Sequence, residues 1–133
     1  MVRTPVVLDT DVVVDVLRGR RDVTQRLADV SPDDVAIAAM TLAELLYGAA
    51  MSREPERNRD EVWRFLRVIR VLSFDQSAAN QHAELRRALR AKPIGPHDLI
   101  IAATAKAVGA SLVTANTREY ARVEGLTVEN WRR

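Results

Sequence analysis

Cysteine is missing altogether from the 133 residues, so neither a disulfide nor a thiolate zinc site can exist. Glycine and proline number five each, too scattered to make a Gly-rich phosphate loop, a linker or a low-complexity tract. Long apolar runs are absent too. The first is interrupted by Asp9 and Asp11, which leaves no secretory h-region, and no later one approaches membrane-spanning length. A soluble cytoplasmic protein with no membrane segment is expected. Lysine is scarce: of 20 basic residues only Lys92 and Lys106 are not arginine, and the formal net charge is +2. Arginine's planar fork suits phosphate and hints at nucleic acid, although a coding bias toward arginine gives the same skew.

At this length one domain over residues 1–133 is expected, able to bury a core without metal or disulfide support. The chain is organised around Val6-Val7-Leu8-Asp9-Thr10-Asp11-Val12-Val13-Val14-Asp15-Val16-Leu17. Three apolar residues after Pro5, rich in β-branched side chains, read as a strand buried on both faces, as in the middle of a parallel sheet. From Asp11 the period becomes helical, with Asp11, Asp15 and Arg18 on one stripe and valines and leucine over the rest. Asp9 therefore sits at the carboxyl end of a buried strand, where open α/β sheets place their functional crevice. It is also a good helix N-cap, and the two readings stand about level. Asp15 reads as part of a hydrated face, pairing with Arg18; Asp11 stays open.

Further along, Asp22 to Val30 forms a short amphipathic helix, Ser31 to Asp34 a turn, and Val35 to Ala39 a second buried strand. The helix from Thr41 to Ala50 opens with Thr41-x-x-Glu44, a capping-box signature, yet it follows a strand directly, so Glu44 also reaches the carboxyl edge of the sheet. After the charged turn from Met51 to Arg59, a helix runs to Arg70 with Val62, Trp63, Leu66 and Ile69 as its core stripe. Arg53, Arg57, Arg59, Arg64, Arg67 and Arg70 decorate this arm, chiefly as a solvated face. A third strand, Val71 to Phe74, precedes a helix from Ser77 to Ala91 capped by Asp75, with His82 on its surface. Pro96 suits the first position of a helix that is apolar nearly all round. Its first-turn Asp98 would be partly desolvated and has no Lys or Arg beside it, while His97 reads as exposed. Ala110 to Thr114 is the fourth strand, Asn116 is an N-cap in a second capping-box pattern, and Gly125 to Trp131 closes as a short strand.

Alternating strands and helices predict a three-layer α/β/α sandwich with a mainly parallel central sheet of four to five strands. In that architecture Asp9, Glu44, Asp98 and Asn116 arrive at one edge. Carboxylates facing one another repel, and a hard divalent cation such as Mg²⁺ relieves them while activating water and neutralising charge on a phosphate.

Val6-Val7-Leu8-Asp9-Thr10-Asp11, Thr41-Leu42-Ala43-Glu44-Leu45, Ile94-Gly95-Pro96-His97-Asp98-Leu99-Ile100-Ile101-Ala102-Ala103 and Leu112-Val113-Thr114-Ala115-Asn116-Thr117-Arg118-Glu119-Tyr120 resemble the successive motifs of PIN-domain nucleases. The likeness to the VapC toxins of bacterial type II toxin–antitoxin systems is especially close, down to the closing Gly-Leu-x-Val-Glu-Asn-Trp, and it spans essentially the whole chain. It implies a Mg²⁺- or Mn²⁺-dependent endoribonuclease, a homodimer, acting on RNA and inhibited by a VapB-type antitoxin. It makes Asp9 and Asp98 metal ligands and Glu44 a further ligand or the orienter of the attacking water. Asp11 stands where that family commonly has Asn, and Asn116 where many members carry a fourth acid, which leaves a second metal open. Two other readings compete. Asp9-x-Asp11-x-Val13 after a buried strand also resembles the nucleophile motif of haloacid-dehalogenase phosphatases, with Asp9 as the nucleophile. That reading needs a site lysine that Lys92 and Lys106 are poorly placed to supply. A non-catalytic RNA-binding domain is the third, if the acids are mere caps.

Overall fold

A computed structural model describes residues 5–133; the first four positions of the expected domain lie outside the described residues. Five strands form one sheet in which every neighbouring pair is parallel: β1 (Val6–Leu8), β2 (Val35–Ala38), β3 (Arg70–Leu72), β4 (Ser111–Val113) and β5 (Val128–Glu129), in spatial order β3-β2-β1-β4-β5. Seven helices are described: α1 (Thr10–Leu17), α2 (Arg21–Ala28), α3 (Ala39–Ala50), α4 (Pro55–Phe65), α5 (Gln76–Ala88), α6 (Pro96–Ala107) and α7 (Thr117–Tyr120). Among the described residues no helix is long and apolar enough to cross a membrane.

Side-chain alternation along the strands splits the core into the expected layers. Val6, Leu8, Ile37 and Val113 pack on one face with Val12, Val13, Leu45 and Val62. Val7, Ala38 and Leu112 pack on the other with Leu85, Leu99 and Ile101. That two-sided burial is why these strands read as unbroken apolar runs. β1 lies between β2 and β4, and the chain builds outward to β3 on one side and β5 on the other. The strand order thus reverses at β1 and β4, and the carboxyl ends of those two strands flank the crevice such a sheet leaves open.

Four expectations are corrected. α3 starts at Ala39 and is capped by no side chain; Thr41 is therefore inside the helix, fully buried, and Thr41-x-x-Glu44 is not a capping box. Trp63 is 48% exposed, because it points away from the stripe that buries Val62. β3 ends at Leu72, and the half-exposed Phe74 rests edge-on against His82. Asp15 is buried and pairs not with Arg18 but with Arg132, whose Nε and Nη2 donate to its two oxygens at 2.7 and 2.9 Å. The helical stripe was legible, but the chain's final residues fold back over it and a fork from there outcompetes a surface neighbour. Trp131, buried beside Arg26, anchors that return.

Removing Arg132 strands the Asp15 carboxylate, whose side chain is only 10% exposed. Arg132→Ala is expected to lower unfolding free energy in urea by about 2 kcal/mol, while Arg18→Ala costs less than about 0.5 kcal/mol. Equal effects would contradict the assignment.

Candidate active site

The crevice is set by backbone before any side chain enters it. Asp9 N–H donates to Val113 O at 2.8 Å, extending the β1–β4 ladder by one residue and fixing where Asp9 leaves the sheet. Its side chain then caps α1, accepting from Thr10 N–H at 2.9 Å, so the cap and the site are the same residue. The other oxygen accepts from the fully buried Thr114 hydroxyl at 2.8 Å. That hydroxyl itself accepts from Asn116 N–H at 3.0 Å, so its one proton must point at Asp9. Asp9 is held by two donors and is 6% exposed.

Two donors do not offset that burial. Desolvation, with Asp11 and Asp98 nearby, pushes the Asp9 carboxyl up to about 6, against the Thr114 and Thr10 hydrogen bonds that favour its charge. Asp11 is raised by burial as well; one of its oxygens accepts from Ala115 N–H at 3.0 Å and the other is buried with no partner. Asp98 is raised first by burial and further by Glu119, Glu44 and Asp11. Tyr120, fully buried, sets its hydroxyl beside Asp98 without closing a hydrogen bond of ordinary geometry, and burial raises that hydroxyl too. Among the described residues no Lys or Arg forms an ion pair with Asp9, Asp98 or Glu44.

Glu44 faces the same crevice from α3, 29% exposed. One oxygen lies 2.6 Å from Thr10 Oγ1, which is also 3.1 Å from Thr41 Oγ1. With one proton to give, Thr10 donates to the carboxylate, and Thr41 supports it from behind. The other oxygen meets His97 Nδ1 at 3.3 Å. His97 is exposed, as expected, yet it stands at the site.

Asn116 caps α7 without a side-chain cap bond. It is exposed, and its amide donates to Glu119 at 2.7 Å, while Gly95 N–H donates to the other Glu119 oxygen at 3.0 Å. The Gly95 donor lowers the Glu119 pKa first of all. Glu119 thus puts a carboxylate beside Asp98 where Asn116 carries none. Gly95 leaves room for Asp98: a Cβ there would sit 3.3 Å from Asp98 Oδ2, so a larger residue would press on the carboxylate. Sequence reasoning missed Thr114, Glu119 and Gly95 as contributors. The available signals were Thr114 following β4 as Asp9 follows β1, and Glu119 one turn beyond Asn116.

The donors are all oxygens, one of them orphaned, in a partly desolvated acidic cluster whose nearest cation, Arg132, acts on Asp11 alone, and this set suits a hard divalent ion. Among the described residues no three acids or imidazoles stand close enough to enclose one; Glu44 is engaged by Thr10 and His97 instead. Asp9 and Asp98, with Asp11 between their charges, fit the ion best.

Between about pH 4 and 6 the folded protein retains a proton on Asp9 that the unfolded chain, with its ordinary carboxylate, has lost. Stability from this group therefore falls as pH rises through that window. In chelator, the stability of wild type relative to Asp9→Asn, whose amide does not titrate, is expected to rise by about 1 kcal/mol between pH 7.5 and pH 5 as wild-type Asp9 protonates. A relative stability that stays constant or falls on acidification would be inconsistent with a buried, uncompensated carboxylate.

Comparison with known proteins bears on this geometry. Residues 6–126 match the model of the PIN domain. The tRNA(fMet)-specific endonuclease VapC of Shigella flexneri is 36% identical over 93% of this chain and 96% of its own length. Ribonuclease VapC2 of Rickettsia felis is 38% identical over 73% of this chain and 74% of its own. Among solved structures, a chain of the DNA-bound VapBC of Salmonella typhimurium superposes with a TM-score of 0.91 at 32% identity, covering 98% of this chain and all of that one. A chain of Rickettsia felis VapBC2 bound to a promoter DNA fragment gives 0.87, also at 32%, over 96% of this chain and 98% of that one. With its acids carried on the β1, β2 and β4 edge of an all-parallel sheet and its likeness running nearly end to end, the chain belongs to the PIN-domain family, among the VapC ribonucleases.

Proposed function

We propose that this protein is a metal-dependent endoribonuclease, the toxin of a VapBC-type pair, hydrolysing RNA phosphodiesters at the crevice of Asp9, Glu44 and Asp98. The observation that carries this reading is the acid cluster at the sheet's switch point, with a buried Asp9 that no Lys or Arg among the described residues pairs and that is pushed up to about 6, half-buried Asp11 and Asp98 beside it, and an Asp11 oxygen left without a partner. A fold that keeps repelling carboxylates in a desolvated crevice gains from a cation that the resting protein does not itself provide. Asp9 and Asp98 would hold that ion, Mg²⁺ or Mn²⁺. When bound, it supplies a lowered water pKa and charge to offset the phosphate's.

The chain's own groups have distinct parts. Thr114 and Thr10 N–H fix the Asp9 carboxylate, and Gly95 leaves the space that Asp98 uses. The Thr10–Glu44–His97 chain supports an orienting role for Glu44 over a ligand role: its oxygens are already engaged by Thr10 and His97, which holds the carboxylate in place beside the crevice, where it can accept a hydrogen bond from an attacking water. Asn116 contributes by holding Glu119 and the turn after β4. The phosphatase reading finds no support here, because no lysine reaches Asp9 and Glu44 would be idle.

A small VapB-type antitoxin is the proposed partner. It would place an Arg or Lys in the crevice, competing with the metal for Asp9 and Asp98, and a homodimer is the proposed assembly.

Purified protein should cut RNA with Mg²⁺ or Mn²⁺ and stop in chelator. Asp9→Asn and Asp98→Asn should each reduce the rate by more than about a hundredfold with the circular dichroism of the fold intact. Glu44→Gln retains shape and loses the carboxylate, so it should lose kcat with little change in KM. Full activity in Asp98→Asn would sink the site assignment.

A further inference from the structure

His82 and Arg86 share a face of α5 at four-residue spacing, and Arg90 stands in the turn just past its cap Leu89. All three line a groove of about 430 Å³ against the start of α6, where the exposed Pro93 and Pro96, backed by Leu89 and the buried Ile94, form an apolar wall. Among the described residues neither arginine forms an ion pair with a carboxylate; Arg90 donates only to Arg87 O, at 2.8 Å, and His82 only meets Phe74 edge-on. Between positions 82 and 92, Arg86, Arg87, Arg90 and Lys92 are opposed by Glu84 alone. α4, the arginine-rich arm that stands out in the sequence, differs. There Arg57, Arg59 and Arg64 are matched by Glu56, Asp60 and Glu61, and Arg57 lies 3.1 Å from Glu54 and 3.8 Å from Glu61.

Unpaired guanidinium groups along an apolar wall complement a polymer with phosphates on one edge and flat, weakly polar bases on the other. The groove also adjoins the crevice. On the first turn of α6, Pro96 and Leu99 face the groove, Asp98 faces the acids, and His97 falls between them on the helical wheel while touching Glu44.

We propose that the α5–α6 groove holds the RNA strand where it leaves the active site, with phosphates on Arg86 and Arg90 and a base against Pro93 and Pro96. This rests on the ribonuclease reading and adds the conformation of the substrate. A base can lie against that wall only if it is unstacked and unpaired, so the strand is single-stranded there.

The test is binding of a fluorescein-labelled single-stranded RNA of about 12 nucleotides in chelator, against a duplex of the same sequence, as salt is varied. Arg86→Gln with Arg90→Gln should weaken single-strand binding about tenfold near 0.1 M salt and reduce the slope of log K on log[salt] by about 1.4, or about 0.7 per phosphate contact. Arg59→Gln with Arg64→Gln on α4 should change neither, and circular dichroism checks that both variants fold. An unchanged slope overturns the groove assignment, as does an equal loss on the duplex. So does a loss accompanied by a change of oligomeric state in light scattering, which would give this face to a second copy of the chain. If wild type cuts RNA while the α5 variant keeps its slope, the groove alone fails; if wild type neither binds nor cuts, the ribonuclease reading fails with it.

Discussion

A carboxylate buried without a counter-charge is the constraint on which the rest of the molecule turns. Asp9 leaves β1 where the strand order reverses, bonded through its N–H to Val113 and through its side chain to Thr10 and Thr114. Those contacts fix its position more than they relieve its charge, since burial still dominates its pKa. Evolving a lysine or arginine into the crevice would remove the repulsion. The structure instead places cations elsewhere: Arg132 clasps Asp15 behind the site, and Arg86 and Arg90 line a separate groove. The electrostatic imbalance at the sheet edge is retained, as the proposed metal-dependent cleavage of a phosphodiester would require.

The helices divide the remaining work. α6 is apolar on almost every side because it is packed into the core, which makes its first turn a rigid mount for Asp98, and Gly95 before it leaves the carboxylate its space. α3 carries Glu44 outward from a buried Thr41, so the Thr41–Thr10–Glu44 relay ties two helices that begin at neighbouring strand ends. Function here depends on where strands stop, and strand ends are set by the backbone ladder and not by the acids themselves.

Much of this was legible in the sequence. The buried-strand runs at Val6, Val35 and Leu112, each followed by a helical period, mark the parallel sheet, and the acids just beyond them mark its edge. Asp75 as a cap and Pro96 at a helix start depend on local chemistry and are found as expected. What sequence could not resolve depends on residues far apart in the chain. Thr41 next to Glu44 imitates a capping box until the helix is seen to begin two residues earlier. Asp15 and Arg132 lie 117 positions apart, so helical spacing could only offer Arg18. Thr114 and Glu119 are ordinary residues whose importance comes from a partner across the sheet, Asp9 in one case and the Gly95 turn in the other. Trp63 shows the opposite failure, since an apolar residue at core spacing still faces solvent.

The central claim is that the acids of this crevice form a cation site, and thermal unfolding over a series of Mg²⁺ or Mn²⁺ concentrations tests it without RNA. A ligand bound only by the folded state raises stability with the logarithm of its concentration once above Kd. The midpoint of the wild-type protein should therefore climb steadily with metal, while that of Asp98→Asn, relieved of the repulsion, stays nearly flat. A wild-type midpoint indifferent to metal, or one that climbs equally in Asp98→Asn, would contradict the account.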